Sequence, residues 1–202
     1  MSQIQYEFNK NDEYYTPEYA VIPIIKYLKP NSTIWCPFDE DNSNFVKVFK
    51  ENGFNVINGH IFTGQDFFEV DIPKCNYIIS NPPYSKKTEV FKRLYETEIP
   101  FAMLINFQGI FDNKERFKLF SIIRIEMLWL SPRVNYLAQG ETKYKSVPFQ
   151  SLYLCSGIFE EQLMEECNVL ELLLEESTDE AQSKAIRSML VSIAEYLNHY
   201  AD

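Results

Sequence analysis

This chain has little of what most enzymes use to announce themselves. Its 202 residues include only two histidines, His60 and His199, so acid–base chemistry built on imidazole is not expected. Its four cysteines, Cys36, Cys75, Cys155 and Cys167, are scattered, with no Cys-x-x-Cys pair and no cysteine–histidine cluster. That spacing excludes the common zinc sites and predicts reduced thiols, no disulfide and no bound metal. No apolar run approaches the ~20 residues a spanning helix needs, so no membrane association is expected. The opening Met1-Ser2-Gln3-Ile4-Gln5-Tyr6-Glu7 has neither a basic start nor an apolar stretch, which predicts no secretory leader and a cytoplasmic location. Internal repeats and low-complexity linkers are absent. Glycine is also scarce, six in all and none between Pro30 and Glu51.

What is present is a globular composition, 46% hydrophobic and 15% aromatic, in a length that suits one α/β domain with a short extension. The net charge of −10 is unevenly distributed. Residues 158–202 carry 11 acidic and 2 basic side chains, whereas 84–145 carry 11 basic and 7 acidic ones. This divides the chain into a domain over 1–157 and an acidic helical extension over 158–202. The local basic excess predicts a surface that meets phosphates despite the acidic total, with scattered solvated lysines as the alternative.

Hydrophobic patterning predicts a helix over 18–29, stopped by Pro30, and a strand at Thr33-Ile34-Trp35-Cys36. Ser43 is placed to cap a helix over 44–51 that ends at Gly53, and a strand follows over 54–57. Further strands are expected at Tyr77-Ile78-Ile79-Ser80 and over 101–105, with a helix over 87–97 between them. Strands alternating with short helices point to a mostly parallel, doubly wound α/β sheet. Two later strands, 125–130 and 149–154, have no evident helix between them and predict an antiparallel hairpin at the sheet edge. In the extension, Ser177-Thr178-Asp179-Glu180 reads as a capping box. Ile186, Met189, Leu190, Ile193 and Leu197 fall on one helical face behind it. A second acidic helix is expected around Leu163, Met164, Leu170 and Leu174. The pair would cap the fold, pair two copies of the chain or hold a partner protein.

The strand Ile78-Ile79-Ser80 runs directly into Asn81-Pro82-Pro83-Tyr84. Two successive prolines fix two φ angles and remove two donors, so the turn is stiff and its carbonyls remain to accept. Asn81 adds a side-chain acceptor and Tyr84 a flat aromatic face. Such a pocket can take both hydrogens of a planar amino group while a ring lies above it. Methylating a conjugated exocyclic amine needs that arrangement, because hydrogen bonds donated by the amine to Asn81 and the Pro82 carbonyl draw the nitrogen toward tetrahedral geometry.

Ser80 to Tyr84 resembles the catalytic motif of the S-adenosylmethionine-dependent amino-methyltransferases, among them the adenine-N6 DNA methyltransferases, and in particular their small phage and prophage members. Other segments agree in order. Asp12-Glu13-Tyr14-Tyr15-Thr16-Pro17 is similar to the family's N-terminal segment, Ile34-Trp35-Cys36-Pro37-Phe38-Asp39 with Ser43-Asn44-Phe45 to its cofactor loop, and Gly64-Gln65-Asp66-Phe67-Phe68 to its adenine-binding segment. The resemblance covers about residues 12–155 and implies a Rossmann-like methyltransferase sheet with S-adenosylmethionine as cofactor. It implies catalytic roles for Asn81, Pro82, Pro83 and Tyr84, with Tyr84 stacking on a flipped base. Tyr15, Thr16 and Pro17 would border the methionine moiety, Thr16-Pro17 serving equally as a helix start. Pro37, Phe38 and Asp39 would line the cofactor channel, Asp39 near its cationic end. Asp66 would accept from the cofactor's adenine amino group, Phe67 would lie against that ring, and Asn81 would border the cofactor as well. The chain departs from the pattern in its glycine-free cofactor loop. It departs again after the second strand, where Val56-Ile57-Asn58-Gly59-His60 offers no carboxylate for the ribose.

The implied substrate is adenine in DNA. The alternatives are an adenine or guanine amino group in RNA, a protein glutamine, or a non-catalytic binding role for the acidic extension. Lys86 and Lys87 would hold phosphates beside the extruded nucleotide, or simply begin an exposed helix. Arg133, Lys143 and Lys145, with Arg116, Lys118 and Arg124, would extend that surface. Loops over 106–124 and 132–147 leave room for no more than a short recognition region.

Overall fold

The computed structural model describes residues 14–122, 125–138 and 145–159, and beyond them 180, 183–184, 187–189 and 191. The chain divides into two compact units, Met1–Ile158 and Phe159–Asp202. In the second unit Phe159 lies in a bend and the other described residues are helical. The helix expected around 163–174 and the first three residues of the capping box lie outside the described residues.

The first unit runs in the order β1 (Tyr14–Tyr15), α1 (Glu18–Ile25), β2 (Thr33–Cys36), α2 (Asn44–Glu51), β3 (Asn55–Asn58), β4 (Tyr77–Ser80), α3 (Lys87–Glu96), β5 (Phe101–Asn106), α4 (Lys114–Phe120), β6 (Glu126–Trp129), β7 (Asn135–Ala138), β8 (Lys145–Ser146) and β9 (Ser151–Ser156). Six strands form one sheet in the order β3-β2-β4-β5-β9-β6. The first four are parallel, and β9 pairs antiparallel with both β5 and β6. This is a Rossmann-like, doubly wound sheet with an antiparallel edge. The expected hairpin strands do pair with each other, and β9, not β6, takes the place beside β5.

Local chemistry sets the elements. Ser43 Oγ accepts from Val46 N at 3.2 Å and opens α2, whose Phe45, Val46, Val48 and Phe49 are buried. The first helix is shorter than expected: it contains Pro23, and after Ile25 the bonding tightens, with Tyr27 N donating to Ile24 O and Leu28 N to Ile25 O. Alternate strand residues divide the core between the two faces. Trp35, Ile78, Phe101, Met103 and Leu154 pack with Val90, Phe91 and Leu94 of α3. Ile34, Cys36, Ile79, Leu104 and Tyr153 are their buried neighbours in sequence, and the Tyr153 hydroxyl donates to Ala20 O in α1 at 2.9 Å. The step from β2 to β3 moves one way along the sheet and that from β4 to β5 the other. Right-handed crossovers then place α2 and α3 on opposite faces, and a crevice opens between the carboxyl ends of β2 and β4.

Two stretches correct the sequence reading. The stretch 106–124, expected to be loop, contains α4, whose Asn113 cap accepts from the backbone of Glu115 and Arg116 at 3.0 Å each. The stretch 132–147 contains β7 and β8. Together with β1 they form a second, three-stranded sheet in the order β1-β7-β8. Tyr14 and Tyr15 pair there with Ala138 and Leu137.

Candidate active site

The crevice between β2 and β4 carries the two sequence segments of greatest interest. Cys36 ends β2 and leads into Pro37-Phe38-Asp39, and Ser80 ends β4 and leads into Asn81-Pro82-Pro83-Tyr84. A side-chain hydrogen bond spans the crevice, with Ser80 Oγ donating to Asp39 Oδ2. Both residues are buried, Ser80 completely and Asp39 to within 7%. The backbone at Asp39 is tied to the end of β3, since Asp39 N donates to Gly59 O at 3.0 Å and Asn58 Nδ2 donates to Asp39 O at 3.3 Å. Burial raises the Asp39 carboxyl from its ordinary 3.8 to about 7, against the opposing pull of hydrogen bonds from Ser80 and Ser43.

The tetrapeptide leaves β4 through its two prolines into a single 3₁₀ turn, Tyr84–Lys86, closed by Lys86 N donating to Pro83 O at 3.1 Å. No donor among the described residues meets Pro82 O. Asn81 Nδ2 donates to Thr16 Oγ1 at 3.3 Å, which assigns the nitrogen end of the amide to Thr16 and its oxygen end to the opposite side. Thr16 O in turn accepts from Asn44 Nδ2, in the first turn of α2, at 2.8 Å. Thr16 is therefore the point where the N-terminal segment, α2 and the tetrapeptide converge, and both it and Pro17 are buried. Tyr15, 40% exposed, stands just outside in β1. Tyr84 is half-buried, with Phe149 edge-on at 5.6 Å, and the neighbouring Tyr136 hydroxyl donates to Ser151 Oγ at 2.8 Å. Beside it, at the carboxyl end of β5, lies a cavity of about 370 Å³ lined by Phe107, Phe111 and Phe149 with Gln108 and Gln150.

Phe67, expected against a ligand ring, is instead 2% exposed in the core, against Trp35 at 5.6 Å and Phe38 at 4.8 Å. The half-buried Phe38 is the ring that covers it, and Pro37 is buried beneath. Asp66 caps its own turn, Oδ1 accepting from Phe68 N at 2.9 Å, and its second oxygen has no partner among the described residues. His60 caps the short turn Ile61–Thr63 through Nδ1, which accepts from Phe62 N at 3.2 Å.

The basic residues depart most from expectation. Lys87, expected on the surface beside a phosphate, is turned inward. It is buried to within 7%, its Nζ donates to Asn106 O at 2.9 Å, and it lies 5.3 Å from the centre of the Tyr84 ring. Arg93 donates to Phe68 O at 3.1 Å and Val70 O at 2.6 Å. Arg116 donates to Gly109 O at 2.8 Å, Ile110 O at 2.9 Å and Thr88 Oγ1 at 3.0 Å. Arg133 is exposed and donates to Val147 O at 3.3 Å. Much of the local positive charge thus braces loop carbonyls around the carboxyl ends of the strands. Lys86 remains half-buried at the turn. Lys143 and Arg124 lie outside the described residues, and Lys145 is described by its backbone alone, in β8.

Sequence reasoning placed Ser80 in the motif and Asn44 in the cofactor loop without a role for either, and it missed Tyr136. Their partners Asp39, Thr16 and Ser151 lie 41, 28 and 15 residues away, so no local signal marked the pairings.

No protein-family model and no curated protein matches this sequence. Among solved structures, a precorrin-6y C5,15-methyltransferase from Geobacter metallireducens GS-15 aligns with TM-score 0.40 and 9% identity over 73% of this chain and 96% of that one. The M1A22 tRNA methyltransferase TrmK of B. subtilis aligns with TM-score 0.36 and 7% identity over 87% of this chain and 96% of that one. Likeness at these levels bears on neither family nor activity.

Proposed function

We infer that the protein transfers a methyl group from S-adenosylmethionine to a conjugated exocyclic amine, with the adenine amino group in DNA as the first substrate. The observation that carries this reading is the tetrapeptide itself. It stands at the carboxyl end of β4 in the sheet's crevice, with Asn81 held by Thr16 and Pro82 O without a donor among the described residues.

The residues fit the cofactor's chemistry. Asp39 is a buried acid with no cation within ion-pair distance among the described residues, suited to a ligand with fixed positive charge. Asp66 has an oxygen available for an amino group. The bound cofactor supplies an electrophilic methyl on a sulfonium. The protein binds and orients the acceptor. Pro82 O and Asn81 Oδ1 accept the two amine hydrogens, which weakens conjugation of the lone pair with the ring. Tyr84 gives the ring a face, and Phe149 and Lys87 fix the tilt of Tyr84. Holding the reactants about 3 Å apart, in line, is the main catalytic contribution of such a site.

A second reading keeps the chemistry and changes the acceptor to the side-chain amide of a protein glutamine. It is favoured by the engagement of Lys87, Arg93 and Arg116 with carbonyls, which reduces the charge available to a phosphate backbone. Labelled methyl transfer from S-adenosylmethionine into DNA, RNA and protein pools, with Asn81→Ala as control, tests both. Label in DNA supports the first reading and label in protein the second. Absence of label from every pool, or equal labelling by the variant, refutes the mechanism.

A further inference from the structure

Asp39 is not explained by the fold. A carboxyl buried at the end of a strand is commonly matched by a cation, and here the groups beside it are uncharged among the described residues. They are Ser80 at the end of β4, Ser43 at the start of α2, Cys36 in β2 and Tyr153 in β9. Burial raises both the Cys36 thiol and the Tyr153 phenol well above their ordinary values, so both stay neutral near pH 7. Lys50 acts on Cys36 and is not among the groups that shift Asp39. Asp39 is therefore the group of this cluster whose charge changes in the physiological range.

Its position gives that change a use. Through Ser80, Asp39 is one residue from Asn81. An amine held by Asn81 must have the methyl carbon of the sulfonium within about 3 Å for transfer, which brings the positive charge into the same crevice. In a buried site such a charge acts on a carboxyl with little screening.

We propose that Asp39 senses the charge of the bound cofactor: it holds a proton when no cation is present, releases it to solvent when the sulfonium binds, and so favours the charged donor over its neutral thioether product. This rests on the methyltransferase reading. After transfer the ligand has lost its positive charge, the Asp39 carboxylate is left uncompensated, and it takes a proton back from solvent. The product is then held less tightly than the donor, and the site is cleared for another turnover.

The test is calorimetric binding of S-adenosylmethionine and S-adenosylhomocysteine at pH 6.5 in phosphate and in imidazole, buffers of different ionisation enthalpy. For the donor we expect the apparent enthalpy to depend on buffer by roughly half a proton or more released per site, and for the product little or none. In Asp39→Asn the release disappears, and the preference for donor over product shrinks on the order of tenfold. Ser80→Ala provides an independent check. Losing a hydrogen bond that favours the carboxylate moves the pH of half-maximal release upward. Donor binding with a buffer-independent enthalpy, unchanged release in Asp39→Asn, or an unmoved profile in Ser80→Ala overturns the proposal alone. Failure of the wild-type protein to bind either ligand overturns both the proposal and the cofactor reading beneath it.

Discussion

Asn81 Nδ2 and Thr16 Oγ1 meet at 3.3 Å across 65 residues of sequence. The amide of the tetrapeptide is thereby given a fixed orientation by a residue from the far end of the domain. Asn81→Ala removes the acceptor for the target amine, and transfer should fall by roughly 10²- to 10³-fold, the scale of losing one preorganised polar contact. Cofactor binding should stay within a few-fold. Thr16→Val keeps the shape and loses the acceptor, so its turnover should fall about tenfold while Thr16→Ser remains near wild type. Steady-state kinetics with the acceptor saturating separates these outcomes, and a fully active Asn81→Ala protein would end the assigned mechanism.

Tyr84 offers two separable properties, a ring and a hydroxyl. Tyr84→Phe retains the face beside Phe149 and removes only the hydroxyl. It should keep most of the activity. Tyr84→Ala should lower acceptor affinity by ~1–3 kcal/mol, the usual worth of an aromatic platform under a base. Equal activity of the two variants would show that the ring is not used.

Lys87 is predicted to matter for stability and not for polyanion binding. Lys87→Met leaves Asn106 O buried without its donor and should cost ~1–3 kcal/mol in denaturant unfolding. The salt dependence of nucleic-acid binding should keep its slope, because no phosphate contact is lost. A shallower slope with unchanged stability would return Lys87 to the surface role its sequence suggested.

Asp39 also sets a pH dependence of stability. Its carboxyl is raised from 3.8 to about 7 in the folded protein, so the folded state binds the proton more tightly than the unfolded chain. Its favourable contribution is complete below the unfolded value and declines as pH rises through the folded one. Between pH 4 and 7 wild-type stability should therefore fall relative to Asp39→Asn, and above pH 8 the difference should level off. Melting curves across that range check the sign, and parallel curves would mean that Asp39 is ionised throughout.

Much of the parallel sheet could be read from the sequence because each element carried its own punctuation. Ser43 and Gly53 bracket α2, and Pro30 separates α1 from β2. Continuous apolar runs mark β4 and β5, which are buried on both faces. The start of β9 was placed two residues early because Phe149 looks like a strand residue, while it serves as the ring beside Tyr84. The cap of α4 at Asn113 was visible in principle, but the helix behind it exposes Phe117 and alternates charge, which hid its period. In the site, the tetrapeptide was legible because two prolines after an apolar strand are costly anywhere else. The burial of Lys87 and Phe67 was not legible. A Lys-Lys pair opening a helix and a Phe-Phe pair in a loop have the composition of a surface and of a ligand contact, and only the long-range packing of β5, α3 and β2 decides otherwise.

The place of β9 sets an order for folding. Its partners in β5 lie some fifty residues earlier, from Phe101 with Ser156 to Asn106 with Ser151. As the chain leaves the ribosome, the residues of the crevice are all made before β9 can arrive. Until then β5 has an open edge of apolar residues, the kind of surface that recruits strands from other molecules. Fragments that stop short of residue 151 should therefore collect in aggregates although they contain the complete Asn-Pro-Pro-Tyr tetrapeptide, and in this protein the last of the described strands guards the solubility of the first half.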